Sequence, residues 1–232
     1  MVTTTRDRRT PARERERILR SGNRFWRPED LVGSPSTKQH LLAGLVDGGE
    51  LRRIRRGLYW RGTKSPLGMA PPPTDALIQE LAPGPGVGPA GLYAANLLRL
   101  STQVPRRAEI AVPMRAPEDL GNIRFVARPA RAARARAGLN QTEVALLEVL
   151  ATWESVIELP PGEAWARLLE VMASGSARPE RIARAARTEP ASTRARLRML
   201  LRAAGHDHLA DRIPQPDERT TAAATRVLAS VA

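Results

Sequence analysis

Apolar residues recur along this chain mostly at helical spacing, with a few short stretches where they cluster or alternate instead. From Ala12 to Arg20 an Arg/Glu-rich segment is helix-compatible, with Ile18 and Leu19 as its only large apolar positions. Pro11 suits its opening turn, and Ser21-Gly22-Asn23 ends it with turn chemistry. After Phe25 and Trp26, the run RPEDLV predicts a short helix with acids near its start and Leu31 and Val32 facing inward. Gly33-Ser34-Pro35 then breaks the chain and offers Ser34 as an N-cap and Pro35 for the first helical position. The helix that follows runs to about Asp47, where Leu41, Leu42, Leu45 and Val46 form an apolar stripe and Gly48-Gly49 stops it. In ELRRIRRGLYWRG the pattern changes. Leu51 and Ile54, then Leu58, Tyr59 and Trp60, flank Arg55-Arg56-Gly57, and two β-rich runs around a three-residue turn containing glycine predict a hairpin of imperfect alternation. The order helix, short helix, turn, helix, basic hairpin predicts a winged helix-turn-helix over residues 1–63, its first ten residues polar and loose.

KSPLGMAPPP, residues 64–73, reads as a Pro-rich linker to a second region, 74–232. There, Thr74–Leu81 predicts a helix capped by Thr74, and the loop PGPGVGP leads into another over Ala90–Leu98. AEIAVPM and NIRFVAR read as short strands, and RPARAARARAG, residues 128–138, as a basic, Ala-rich connector. Residues 140–204 predict helices over Gln141–Thr152, Gly162–Ala173, Pro179–Ala186 and Ala191–Arg202, and Thr221–Val231 a tail or one last helix. The expected fold is mainly α with small β (α+β). It has an N-terminal winged helix, a middle α/β unit with short strands over 74–138 and a helical region over 139–232.

Charge refines this picture. The 232 residues carry 37 basic and 24 acidic groups, a formal net charge of +13. Of the basic residues 35 are arginine, a skew that a GC-rich genome would produce, but codon bias cannot produce the excess over acids. Residues 1–64 hold 16 basic and 7 acidic groups, residues 65–140 hold 9 and 5, and residues 141–232 hold 12 of each. An electrostatic partner, with nucleic acid foremost, is therefore expected at the N-terminal end. A hydrophobic content of 42% argues against wholesale disorder, and no apolar run approaches the length of a membrane span. Without an apolar stretch behind the first charges, no secretory signal is expected. The absence of cysteine removes disulfides, thiolate nucleophiles and Cys-based zinc sites. The chain reads as cytoplasmic.

The helix after Ser34 presents Ser36, Thr37, Lys38, Gln39 and His40 in its first turns. In a helix-turn-helix these positions enter the major groove, where Gln pairs bidentately with adenine and Ser, Thr or Lys reach bases or phosphates. The alternative is the polar face of an ordinary amphipathic helix, with Lys38 along the core edge. In the hairpin, Arg52, Arg53, Arg55, Arg56 and Arg61 place five positive charges within ten residues. Such a tip suits a wing that tracks phosphates or enters the minor groove, and the alternative is a solvated charge run. Tyr59 and Trp60 could stack on bases or pack against the helices.

Catalytic readings are weak, and no catalytic residue, metal or cofactor is expected. His206-Asp207-His208 with Asp211 would need ligands converging from elsewhere to hold a metal, and reads better as a polar interhelical turn. PGPGVGP lacks the Lys-Ser/Thr ending of a P-loop. Neither Lys38 nor Lys64 sits in the motif of an Asp…Glu-x-Lys nuclease, and no nucleophile elbow is visible.

Two blocks carry a resemblance. Gly49, Glu50, Leu51, Arg53, Ile54, Arg56, Gly57, Leu58 and Tyr59 match one pattern, and Tyr93–Leu98 with Leu100–Val104 match the second. In this order and spacing the pair resembles the AbiEi-type antitoxin family, and more narrowly its relatives with a short winged-helix domain and a DUF-type middle region. The likeness covers roughly residues 24–130 and leaves the last ~90 unmatched. It implies the DNA-binding antitoxin of a type IV toxin–antitoxin operon, which represses its own promoter through inverted repeats. Such an antitoxin counters a nucleotidyltransferase-like toxin without needing a stable complex with it. A stand-alone regulator whose helical C-terminal half is a protein-interaction module is the other expectation.

Overall fold

The computed structural model describes residues 10–66 and 68–228. The loose segment expected before Thr10 and the last positions of the expected final helix, 229–231, lie outside the described residues. The chain forms two compact units, Met1–Glu80 and Leu81–Ala232.

In the first unit α1 spans Thr10–Arg20 and β1 spans Arg24–Trp26, followed by a 3-10 turn at Pro28–Asp30. Then come α2 (Pro35–Asp47), β2 (Arg52–Arg55) and β3 (Leu58–Arg61). The small strands β4 (Lys64–Ser65) and β5 (Gly68–Met69) precede α3 (Thr74–Leu81). The first three strands are antiparallel in the order β1-β3-β2, with Phe25 opposite Trp60 and Arg55 opposite Leu58. Ile18, Trp26, Leu31, Leu42, Leu45 and Leu51 make the core, so the expected stripe of α2 does face inward. Buried Glu14 of α1 accepts from the Val32 N–H at 3.4 Å and from Arg17 at 2.6 Å, tying α1 to the chain before α2.

Three expectations need correction here. The helix expected over RPEDLV is one 3-10 turn, because Asp30 accepts from the Arg27 N–H at 2.7 Å and Leu31 then turns extended at φ −106° and ψ 152°. Successive residues of an extended chain face opposite ways. Leu31 is therefore buried, whereas Val32, expected inside, is 65% exposed. The hairpin turn has two residues, Arg56 and Gly57, with Gly57 at φ 75°. A register shift between Arg53 and Arg55 accounts for the broken alternation at Ile54. Finally, half of the expected linker is ordered structure. Lys64–Ser65 pairs with Gly68–Met69, Met69 is buried, and the Trp60 indole donates to the Ala70 carbonyl at 3.1 Å.

The second unit begins with β6 (Gly88–Pro89), α4 (Gly91–Leu97), β7 (Ala108–Val112) and β8 (Ile123–Ala127). They form a mixed sheet in the order β6-β7-β8, its last pair parallel. Helices follow: α5 (Ala133–Arg136), α6 (Gln141–Ala151), α7 (Trp153–Val156), α8 (Pro161–Ala173), α9 (Pro179–Ala185), α10 (Ala191–Ala203), α11 (Asp207–Arg212) and α12 (Glu218–Thr225). The fold class is mainly α with small sheets, as the patterns indicate. The central helix is α6, buried continuously from Glu143 to Leu150 and opened by a reciprocal cap in which Asn140 and Glu143 bond each other's backbone N–H.

The segment 128–138 is no solvated connector. Arg134 is fully buried, bonding Glu189 at 2.7 and 2.8 Å and Glu148 at 2.6 Å, while Arg128 and Arg131 reach Glu148 from the side. Burial pushes the Glu148 carboxyl up, but Arg134, Arg131 and Arg128 outweigh that and hold it below its ordinary range. The alanines between the arginines let the helix sit close enough for this. Among the described residues no helix is long and apolar enough to cross a membrane.

Candidate nucleic-acid interface

The local sequence builds the first wall of the site. Ser34, extended at ψ 154°, accepts from the Thr37 N–H at 3.3 Å, and Pro35 occupies the first turn where a missing N–H costs nothing. The start of α2 is thereby fixed, and the side chains of its first turns take set directions. The second wall is the β2–β3 hairpin, whose Arg56-Gly57 tip needs the left-handed conformation of Gly57.

Between these walls lies a groove of about 600 Å³. Lys38 and Gln39 line it from α2, and Arg53, Arg56 and Tyr59 from the hairpin, over an apolar floor of Leu42 and Val46. The sequence proposed these residues in two separate clusters, and the structure brings four of them together. Glu29 and Asp47 line the groove as well. Asp47 could have been anticipated from its place two helical turns beyond Gln39, whereas Glu29 comes from a turn misread as helix.

The other candidates fall elsewhere. Ser36 and Thr37 contact the Ser34 hydroxyl at 3.1 and 2.8 Å, so their oxygens first complete the helix cap. His40 is exposed one turn beyond Ser36, on the flank of α2 outside the groove lining. Arg55 is half-buried and also outside that lining. Arg52 donates to the Met69 carbonyl at 3.3 Å. Arg61 is the clear correction. Only 15% of its side chain is exposed, and it donates to the Leu19 carbonyl at 3.4 Å and pairs with Glu50 at 3.6 Å. It braces α1 against the sheet because it shares a face of β3 with Tyr59, which packs on the helical core, while Trp60 between them takes the opposite face. Trp60 is core as well, with its ring 4.6 Å from that of Phe25 and only 2% exposed, so it offers no face to a base.

Electrostatics separate the groove from the rest of the unit. Glu14, Glu16, Glu50 and Glu80 are taken by Arg17, Arg20, Arg61 with Lys64, and Arg27. The Lys64 ammonium holds the Glu50 carboxyl below its ordinary range, against a small cost of burial, and Arg61 adds to this. Lys38, Arg53, Arg55 and Arg56 have no ion-pair or hydrogen-bond partner among the described residues. Of the cations without such a partner, these are the ones carried by α2 and the hairpin, where a ligand's phosphates could reach them.

In the second unit the block Tyr93–Val104 has a structural role that its sequence alone does not disclose. Asn96 reaches the Ser101 and Gln103 carbonyls, each at 3.4 Å, while Glu158 accepts from the Thr102 N–H at 2.9 Å and from the Gln103 amide. Those donors, the Thr102 N–H first, hold the Glu158 carboxyl below its ordinary range. Glu158 lies more than fifty positions along the chain, and nothing near it in sequence signals the clasp.

No protein-family model matches the chain, and no curated protein does. Its fold is similar to that of the RV2827C protein from Mycobacterium tuberculosis, a crystal structure matched with a TM-score of 0.52 at 20% identity. The match covers 89% of this chain and 82% of that one. At that identity the likeness is one of fold.

Proposed function

We propose that this protein is a sequence-specific double-stranded DNA-binding repressor, a cytoplasmic binding protein rather than an enzyme. The observation that carries the reading is the groove, in which unpaired Lys38, Arg53 and Arg56 surround Gln39. The element order α1, β1, one helical turn, α2, β2, β3 and the sheet order β1-β3-β2 support reading this unit as a winged helix whose second helix is reduced to one 3-10 turn. In that reading α2 enters the major groove with Gln39 toward base edges, His40 and Ser36 flank it, and Arg53, Arg55 and Arg56 follow the phosphates. The resemblance of the two blocks extends the proposal to a type IV antitoxin that represses its own promoter at inverted repeats and opposes a nucleotidyltransferase-like toxin. The stand-alone regulator is the second reading, favoured by the run of helices α6–α11, which follows the matched blocks in the chain.

Fluorescence anisotropy on the DNA upstream of the gene, against a scrambled duplex of equal length, tests repression. A preference of at least a hundredfold is expected, and equal affinity for both duplexes refutes sequence-specific binding. Co-expression with the adjacent reading frame separates the two readings: rescue of a growth defect supports the antitoxin, and no toxicity to rescue supports the stand-alone regulator.

A further inference from the structure

The last 92 residues are balanced in charge along their sequence, yet the fold of the second unit gathers exposed arginines around one hollow. Arg136 ends α5, Arg184 lies in the last turn of α9, Arg187 follows in the 3-10 turn, and Arg212 ends α11. Together they line a concavity of about 460 Å³, with Leu209 and several alanines forming its apolar wall. One carboxylate, Glu180, lines it too, so the four cations exceed the acids by three. Arg184 donates to the Glu180 carbonyl at 3.3 Å, and the other three have no ion-pair or hydrogen-bond partner among the described residues. This contrasts with Arg128, Arg131, Arg134, Arg178 and Arg202 of the same unit, each set against a carboxylate. A cation in the last turn of a helix complements the partial negative charge there, which accounts for arginine at any one of these positions. It does not account for several helix ends meeting around a single hollow.

We propose that this hollow binds a phosphorylated small molecule, with a nucleoside triphosphate as the ligand class. Guanidinium groups match phosphate oxygens in planar, bidentate geometry, and a triphosphate supplies enough negative charge to engage three or four of them. A volume of about 460 Å³ lies in the range of small-molecule sites, and the apolar wall offers a surface for a base that a bare polyphosphate would leave empty. A DNA backbone is favoured less, because the four arginines converge on one hollow and do not run in a line along which successive phosphates of a strand could lie. The site lies within the second unit and is independent of the DNA-binding reading.

Isothermal titration of the full chain with ATP, GTP, AMP and inorganic tripolyphosphate tests this. The triphosphates are expected to bind at least tenfold more tightly than AMP. In Arg187→Ala/Arg212→Ala, triphosphate binding should weaken at least tenfold while the thermal midpoint stays within 2 °C of the parent. Both side chains are exposed, so the fold should persist, and the single Arg→Lys variants give intermediate affinity. If tripolyphosphate binds as tightly as the nucleotides, the phosphate chemistry stands and the base subsite is refuted. Absence of binding at millimolar nucleotide, or unchanged binding in the double variant, overturns the site. So does loss of nucleotide binding in Arg53→Ala/Arg56→Ala, which would place the ligand in the other unit. If the Arg187/Arg212 variant weakens only duplex DNA binding, the hollow is a second DNA contact and the proposal fails.

Discussion

Salt dependence puts the groove to a quantitative test. Four cations, Lys38, Arg53, Arg55 and Arg56, have no partner among the described residues, whereas Arg61 is held by Glu50 and the Leu19 carbonyl. Each phosphate neutralised contributes about −0.9 to the slope of log K against log salt, so four contacts give about −3.6 for each bound protomer. Between about 50 and 200 mM salt the parent protein should lose roughly 150-fold in affinity. Arg53→Ala/Arg56→Ala removes two contacts, which leaves a slope of about −1.8 and a loss of roughly 12-fold over the same range. Anisotropy titrations of a promoter duplex at five salt concentrations measure both slopes, normalised to the protomers bound. Arg61→Ala is the internal control. It should leave the slope within error of the parent and lower stability by about 1 kcal/mol through its lost hydrogen bond and pair. A double variant with the parent's slope, or an Arg61 variant whose slope falls as far as the double variant's, would refute the assignment of the groove as the phosphate-contacting face.

Three further outcomes follow from single residues. Gln39→Ala should cost about 1–3 kcal/mol of discrimination between the operator and single-base variants while leaving the salt slope unchanged, as read by competition binding. A uniform loss across all sequences would place Gln39 on the backbone instead. Arg134→Met leaves Glu189 and Glu148 buried with too few cations and should destabilise the second unit by about 3–5 kcal/mol in urea denaturation. A loss under about 1 kcal/mol would mean that the cluster is solvated. The Glu143 carboxyl is pushed up by burial, but Arg178 and the backbone N–H groups of Asn140 and Arg178 outweigh this and hold it below its ordinary value of 4.5. A depressed folded-state pKa gives stability that is present above the unfolded value and lost as pH falls through the folded one. Arg178→Ala should therefore narrow its stability deficit against the parent as pH drops below about 4.5, and a constant deficit from pH 7 to 3 would contradict the pairing.

Local chemistry made much of the first unit legible. Ser34-Pro35 and Gly48-Gly49 bracket α2 to the residue, because capping and termination act within one turn. What local chemistry could not supply was partnership across distance. The Arg/Ala-rich segment 128–138 reads from sequence as a connector, yet Arg134 is buried against Glu189, fifty-five positions away. Arg61 looks like one more wing arginine until the alternation of β3 sets it on the face of Tyr59, toward α1 and Glu50. The Pro-rich stretch after Thr63 reads as linker because proline and glycine signal turns without saying what the turn packs against, which is Trp60 in this case.

The same limit changes what the charge means. A net of +9 over residues 1–64 locates an excess without showing which cations remain free to act. In the first unit the fold sets Arg17, Arg20, Arg27, Arg61 and Lys64 against carboxylates, and among the cations it does not so pair, Lys38, Arg53, Arg55 and Arg56 lie at or beside one groove. In the last 92 residues equal numbers of acids and bases suggest no anionic partner at all. Yet pairing there is uneven: carboxylates such as Glu143, Glu148 and Glu189 are drawn inward by Arg178, Arg128, Arg131 and Arg134. Glu148 and Glu189 are spent on Arg128, Arg131 and Arg134, which lie outside those 92 residues, so the charge the stretch has left over is basic. Arg187 and Arg212 at the rim of a hollow are part of that remainder. The charge open to a ligand is therefore the charge left after folding has made its pairs, and both proposed sites lie where that remainder meets a concavity.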